Sequence, residues 1–381
     1  MDTVMIVTGE SSGELYGSLL AKALKTKYPE LHIIGVGGER MNEAGVELIS
    51  GISGAFGLSE AISSLKAIKE TFSRTIGAIK KFSTKVIVLI DYPDFNIKVA
   101  KVAKKMGVKI LYYVSPQVWA WRKGRVKTIA AIADRIAVIL PFEEEIYKGT
   151  GVPCEFVGHP VLEEIEALTQ DKIALKTSLG LNAESRVLGL LPGSRAHELH
   201  KLLPVMLDVV KKFKTEFPDF HYQFVMPIAP NIEIKKYQTS FDRLRDEGVI
   251  VKKDNAIKVL SLSDMAVVAS GTATLQAAFL EVPMVVIYKL SPLSYLLGRL
   301  IIDVKYISLV NLLSGKEVVP ELIQHRASPE SIIKELKKIM CDVHHREEML
   351  SYYRLIKEPF SGKSASNRVA EMIMEMAGWK H

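Results

Sequence analysis

The chain has 381 residues, 48% hydrophobic and 24% charged, with a mean hydropathy of +0.16. That length suits two domains, and the composition supplies cores, which excludes disorder, collagen-like repeats and low-complexity scaffolds. Its net charge is +7, and its two cysteines, Cys154 and Cys341, exclude a disulfide framework and sit in no metal-ligand spacing.

The basic excess is uneven: residues 1–160 carry 21 lysines and arginines against 16 acids. Such an excess reads as nucleic acid, an anionic membrane surface or a phosphorylated substrate. No basic tail is present, so no nucleic-acid partner is expected. Met1–Thr8 shows no basic segment ahead of an apolar one, so no signal peptide is expected. No stretch approaches the ~18 apolar residues of a spanning helix, which leaves peripheral membrane contact.

Val4–Thr8 reads as a strand and Leu15–Lys27 as a helix, with Gly9-Glu10-Ser11-Ser12-Gly13-Glu14 between them. Glycines ahead of a helix can hold an anion through backbone N–H groups. The string is not G-x-G-x-x-G, and the next strand, Ile33–Val36, runs into Gly37-Gly38-Glu39 where a nicotinamide enzyme usually has its ribose-binding acid, which leaves the dinucleotide reading weak but open. From Ile62 to Lys85, Ile62, Leu65, Ile68, Phe72, Ile76, Ile79 and Phe82 recur at helical spacing, interleaved with Lys66, Lys69, Arg74, Lys80, Lys81 and Lys85. Such a helix either packs on a sheet or lies at a membrane interface.

Val86–Ile90 is a continuous apolar run of the kind buried on both faces of a parallel sheet. It opens into Asp91-Tyr92-Pro93-Asp94-Phe95-Asn96, where one acid can cap the next helix and the other serve as a base at a strand's carboxyl end. Val108–Val114 and Arg135–Leu140 repeat the strand pattern, with helices expected at Ile97–Lys105 and Val126–Ala133. Between them, Trp119 and Trp121 run into Arg122, Lys123, Arg125 and Lys127. This is either an aromatic anchor for the loop or a basic lip for a phosphate or lipid headgroup.

The second half repeats the plan. Strands are expected at Val187–Leu191, Tyr222–Val225, Val249–Val251, Ala266–Ala269 and Met284–Ile287, and helices at Leu199–Phe217, Ile257–Leu262 and Thr274–Leu280. Ser328–Met340 and Lys363–Met376 read as helix. Leu190-Leu191-Pro192-Gly193-Ser194-Arg195 and Ala269-Ser270-Gly271-Thr272-Ala273-Thr274 each leave a strand and enter a helix. Two such glycine–hydroxyl turns, one with an arginine, would clamp a diphosphate. Strand–helix alternation throughout predicts two Rossmann-like α/β domains facing a cleft, residues 1–163 and 164–356. Residues 357–381 form a helical tail packing back across them.

These motifs together resemble lipid A disaccharide synthase, a family of inverting glycosyltransferases of GT-B architecture, over essentially the whole chain. The resemblance rests on Gly9–Glu14, G-V-G-G at Gly35–Gly38, Asp91–Asn96, and Y-V-S-P-Q-V-W-A-W-R at Tyr113–Arg122. It continues with L-P-F-E at Leu140–Glu143, V-G-H-P at Val157–Pro160, Leu190–Arg195 and A-S-G-T-A-T-L at Ala269–Leu275. P-M-V-V at Pro283–Val286 and N-L-L-S-G at Asn311–Gly315 complete it. Two positions depart: Glu14 stands where the family usually has Asp, and Gln276 where a glutamate that accepts from ribose hydroxyls is expected. A glutamine carbonyl still accepts, without charge.

The resemblance implies transfer of 2,3-diacylglucosamine from its UDP derivative to 2,3-diacylglucosamine 1-phosphate (lipid X). The products are the β-1′,6-linked disaccharide 1-phosphate and UDP. It also implies work at the cytoplasmic membrane face, and in some members a homodimer with exchanged C-terminal elements. Inversion needs a base and a stabilised leaving group but no covalent nucleophile. Asp94 is the expected base, with Glu10 as alternative or as the group orienting the acceptor. Arg195 and backbone N–H groups near Gly271 and Thr272 would hold the diphosphate. Gly193, Ser194, Ser270, Ala273 and Gln276, and on resemblance alone Asn311, complete the UDP-sugar side. Ser12, Trp119, Trp121, Arg122, Lys80 and Lys81 belong to the acceptor and membrane side. No metal and no cofactor are expected. A UDP-sugar epimerase of the same fold and a non-catalytic UDP-sugar binding protein are the competing readings; neither needs both an acceptor pocket and a base.

Overall fold

The computed structural model describes residues 2–51, 61–119, 124–168, 172–292, 295–296 and 304–379. Two compact units divide the chain: Met1–Glu163 with Phe360–His381, and Glu164–Pro359.

The first unit is built on a seven-stranded sheet: β1 (Thr3–Val7), β2 (His32–Gly37), β3 (Glu47–Gly51), β4 (Val86–Ile90), β5 (Lys109–Tyr113), β6 (Arg135–Val138) and β7 (Cys154–Phe156). Their spatial order is β3-β2-β1-β4-β5-β6-β7, and every pair is parallel. β1 and β4 are buried at every residue, as expected of strands covered on both faces by crossover helices. Each fully buried valine, isoleucine or leucine contributes about 1.5–3 kcal/mol of transfer free energy. The edge strands differ. β3 and β7 are short and half exposed, without the apolar run that marks the central strands.

The helix Ala61–Lys81 carries the apolar stripe expected from its sequence, of which the side chains of Ile62 and Leu65 lie outside the described residues. Ile68, Phe72, Ile76, Ile79 and Phe82 all pack on the core of this unit. Lys66, Lys69, Arg74, Lys80 and Lys81 remain on the exposed face. The C-terminal helix Ala365–Ala377 also belongs to this unit. Lys27 pairs with Glu371 at 2.7 Å, and Arg368 forks onto Glu155, its Nε and second guanidinium nitrogen reaching the two carboxylate oxygens at 2.5 and 2.9 Å.

The second unit repeats the topology in six parallel strands: β8 (Arg186–Leu191), β9 (Tyr222–Ile228), β10 (Val249–Lys253), β11 (Met265–Ala269), β12 (Met284–Tyr288) and β13 (Glu321–Ile323). Their order is β10-β9-β8-β11-β12-β13. Each sheet therefore contains the doubly wound order 3-2-1-4-5-6, whose direction reverses at one point. In the first unit that switch point lies between β1 and β4, in the second between β8 and β11. Ligands of such sheets bind beyond the carboxyl ends of the strands flanking the switch. Four of the five loops singled out by sequence leave these strands; the fifth, the tryptophan loop, leaves β5.

Candidate active site

At the first switch point the loop after β1 meets the loop after β4. A side chain at Gly9 would place its Cβ 2.2 Å from the Tyr92 ring, so only glycine lets the two loops close. Asp91 and Tyr92 hold φ of +47° and +44°, and Val114 at the end of β5 holds +60°, a rare conformation for a β-branched residue. The surroundings fix this strained turn. Asn96 Nδ2 donates to the Asp91 carbonyl at 2.7 Å and to the Ile90 carbonyl at 3.2 Å, and the Tyr112 hydroxyl gives the Asp91 carbonyl a second bond at 3.1 Å. Strain held by so many partners is a feature of functional loops.

The strained turn aims Pro93-Asp94 into the first turn of the helix Pro93–Lys105. The Asp94 carboxylate is 75% exposed and pairs with the guanidinium of Arg125, itself only 13% exposed. A mostly buried cation thus holds a carboxylate at the surface. In sequence Arg125 is only one member of a basic run; nothing local reveals a partner 31 residues away. Glu10 is the N-cap residue of the helix Ser11–Lys27, whose first turn contains half-buried Ser12. Partial burial first, then the negative charges of Asp94 and Glu10, raise the Tyr92 hydroxyl above its ordinary pKa. Both candidate acids therefore share one electrostatic neighbourhood.

Glu14 acts locally. Its carboxylate accepts from the Arg40 N–H at 3.0 Å and lies over Gly38, where a Cβ would sit 2.4 Å from Oε1. Trp119 is half buried, its ring edge-on to Phe142 and its indole N–H donated to Glu143 at 3.2 Å. Burial raises Glu143 to about 7, against the lowering pull of its bonds from Leu140 and Trp119. The tryptophan motif and L-P-F-E are thus one assembly, and Trp119 is the anchor of its loop. Trp121 and Arg122 lie outside the described residues.

At the second switch point the two turns differ. Gly193 holds φ +96°, and a Cβ there would meet Glu198 Oε2 at 2.1 Å. Buried Glu198 accepts from the backbone N–H groups of Ser194 and Arg195 at 3.0 and 3.1 Å. Those two donors are spent on the protein, so what this turn offers a ligand is the Arg195 guanidinium, half exposed and 3.6 Å from Glu198 Oε1. A glutamate three residues past an N-cap is a capping-box signal, and here it is what closes the turn.

The turn after β11 is the open one. Gly271 precedes the helix Thr272–Phe279, and no atom lies within 4 Å of a Cβ placed there. The first N–H groups of any helix have no acceptor within it, so those of Thr272 and Ala273 are donors of the kind an anion uses. Ser270 donates its hydroxyl to the Ile307 carbonyl at 2.7 Å, and buried Thr274 donates to Gly271 at 2.8 Å. Gln276 is buried within the same helix. Asn311 is fully engaged: Nδ2 donates to Val319 O and Glu321, and Oδ1 accepts from Val318 and Val319, all within 2.9 Å. With both donors and both lone pairs used, its amide shapes the loop. At the end of β12, partial burial first and then Lys201 hold Lys289 below its ordinary pKa. Arg195 and Glu198 both act electrostatically on neighbouring Tyr288. Among the described residues no group of three or more metal-ligating side chains occurs, and no helix is long and apolar enough to cross a membrane.

A family model described as lipid-A-disaccharide synthetase matches residues 4–375. The chain belongs to that family. It is 40% identical to the lipid-A-disaccharide synthase of Geobacter sulfurreducens, over 98% of this chain and 97% of that protein. For the synthase of Myxococcus xanthus the identity is 38%, with the same two coverages. Family membership makes the chain a glycosyltransferase. Among solved structures, UDP-GlcNAc 2-epimerase from Neisseria meningitidis bound to UDP-GlcNAc matches with a TM-score of 0.66 at 11% identity, over 98% of this chain and all of that one. The glycotransferase of kitacinnamycin matches at 0.63 and 15%, over 98% of each chain. At such identities these likenesses show the shared GT-B fold alone. They do not favour the epimerase reading, because function lives in the site.

Proposed function

We propose that this chain transfers a 2,3-diacylglucosaminyl group from its UDP derivative to the 6-hydroxyl of 2,3-diacylglucosamine 1-phosphate, releasing UDP. The observation that carries the reading is the family match across residues 4–375, which takes in all four switch-point loops. In this reading the Asp94 carboxylate, oriented by Arg125, takes the acceptor proton as the acceptor oxygen attacks the anomeric carbon. Glu10 orients the acceptor. The anomeric C–O bond to the diphosphate breaks in the same step, and the charge of departing UDP is collected by Arg195 and by the helix start at Thr272. The excess of cations on the exposed face of the helix Ala61–Lys81 supports contact with an anionic bilayer, where the acyl substrates reside.

The test is incubation with the acyl UDP-sugar, with and without the monosaccharide 1-phosphate acceptor. Disaccharide and UDP appearing together, only with acceptor, is the expected result. Interconversion of the UDP-sugar without acceptor would make the protein an epimerase, and binding without turnover would make it a carrier.

A further inference from the structure

The structure assigns a role to Glu321, a residue outside every motif: it is a positioning residue for the donor turn Ser270–Thr272. Glu321 opens the edge strand β13, is 6% exposed, and accepts four hydrogen bonds. Oε2 takes the N–H of Ile307 at 2.9 Å. Oε1 takes the N–H of Ser308 at 2.9 Å, its hydroxyl at 2.8 Å, and Nδ2 of Asn311 at 2.9 Å.

A carboxylate is taken out of water only at a cost that its hydrogen bonds must offset, and one held by donors of a single loop fixes that loop in return. Three of the four donors lie on two consecutive residues, Ile307 and Ser308. The fourth, Asn311, ties the same loop to Val318 and Val319, just ahead of Glu321 itself. The loop is therefore closed on its own return strand. Its other contact points at the site: the Ile307 carbonyl receives the Ser270 hydroxyl at 2.7 Å. One residue thus has its N–H held by Glu321 and its C=O by Ser270, a two-bond relay to the turn that heads the helix Thr272–Phe279. Ser270 is also pinned through its N–H to Ile287 at 3.1 Å, so the Ile307 bond orients a residue whose backbone is already placed. Pre-set helix-start donors lose less on binding an anion than mobile ones, so the relay serves UDP affinity.

The inference rests on the reading that this turn binds UDP, and the experiment separates the two. In Glu321→Gln the carboxamide keeps one acceptor oxygen and turns an NH2 toward a backbone N–H. UDP binding by calorimetry should weaken about tenfold, with a matching rise in the KM of the UDP-sugar, while the acceptor KM and kcat stay within about threefold. Because the effect travels through Ser270, adding Glu321→Gln to Ser270→Ala should cost much less than it does alone. Unchanged UDP affinity in folded Glu321→Gln, additivity in the double variant, or equal rises in both KM values would overturn the inference. If Glu321→Gln does not fold, Ser308→Ala removes one donor and should weaken UDP about threefold; no change there would overturn it equally. UDP affinity unaltered in both Arg195→Ala and Gly271→Ala would remove the binding reading itself, and this inference with it.

Discussion

The two sheets share one strand order, yet the turns at their switch points are made of different material. The first unit packs an aromatic ring onto Gly9 and holds Asp91, Tyr92 and Val114 in strained conformations, with Asp94 placed at the surface on Arg125. The second leaves Gly271 in open space at a helix start and gives its positive φ to a glycine, Gly193, which adopts it without strain. In the proposed reaction the Asp94 carboxylate takes a proton and has to be aimed, which costs backbone strain and a partner. A diphosphate only needs donors and space, which a helix start supplies. Topology places both pairs of turns, and local residues decide what each pair presents.

The largest effects should come from removing the group each turn presents. Asp94→Ala should lower kcat by about 10²–10⁴ while leaving UDP affinity nearly unchanged, as for loss of a general base. Arg195→Ala should cost about 10²–10³ in rate and weaken UDP, with partial recovery in Arg195→Lys because lysine lacks the fork. Steady-state kinetics with UDP calorimetry checks both. Near-normal turnover in Asp94→Ala would move the base to Glu10 or to water, and full activity in Arg195→Ala would make that turn structural.

One substitution made in both turns sharpens the contrast. In Gly9→Ala the new methyl collides with a Tyr92 ring already stacked on Phe95 at 5.2 Å, so stability should fall by about 1–3 kcal/mol and turnover with it. In Gly271→Ala the methyl meets no protein atom, so thermal stability should hold while UDP affinity drops, because the methyl occupies the anion's approach. Equal melting-temperature losses in the two variants would erase the distinction drawn between crowded and open turns.

The switch-point loops are legible in the sequence because β-branched runs ending in glycine, proline or an acid are local signals. The residues that organise them are not. Arg125 reaches Asp94 across 31 positions, and Glu321 reaches back 13 and 14 positions to Ser308 and Ile307. Such pairings depend on tertiary placement that no spacing encodes. The edge strands β3, β7 and β13 escape for a related reason: they have five residues or fewer and are not apolar throughout, since their outer side has no neighbouring strand. Asn311 shows the converse limit. A motif asparagine looks the same in sequence whether its amide waits for a ligand or is already used up.

Within the first unit two buried groups should pull stability in opposite directions with pH. Burial lowers His159 to about 3, so it stays neutral in the fold; its contribution is intact above about pH 6.5 and is lost as pH falls toward 3. Burial raises Glu143 to about 7, so the fold retains a proton that the unfolded chain releases above about 4.5; that contribution fades as pH rises toward 7. Each slope is at most about 1.4 kcal/mol per pH unit, and between about pH 4.5 and 6.5 they offset. Urea unfolding across that window should therefore be nearly flat for the unaltered protein, fall with rising pH in His159→Asn and rise with it in Glu143→Gln. The same slope in both variants would mean that neither group carries the pH response.

The smallest effect concerns a surface, where the two units also part company, since residues 1–160 hold most of the excess positive charge. From Ile68 to Phe82 the apolar stripe packs on the core of this unit, so bilayer contact by the lysines of that stretch is electrostatic and not by insertion. Lys80 and Lys81 are exposed, whereas Lys85 is engaged by Asp2 at 3.1 Å and lies 5.3 Å from the Trp379 ring centroid. A cation near an anionic surface adds about 1 kcal/mol and loses it beyond a Debye length. Replacing Lys80 and Lys81 with glutamate should therefore weaken binding to vesicles containing anionic lipid, with the loss largest at low salt and absent on neutral vesicles. Lys85→Glu should do less, because its charge is already answered within the fold. Turnover of short-chain, water-soluble substrates should be unchanged in all of these variants, which separates membrane delivery from chemistry. Vesicle binding that ignores both salt and these lysines would assign the membrane contact to another face of the protein.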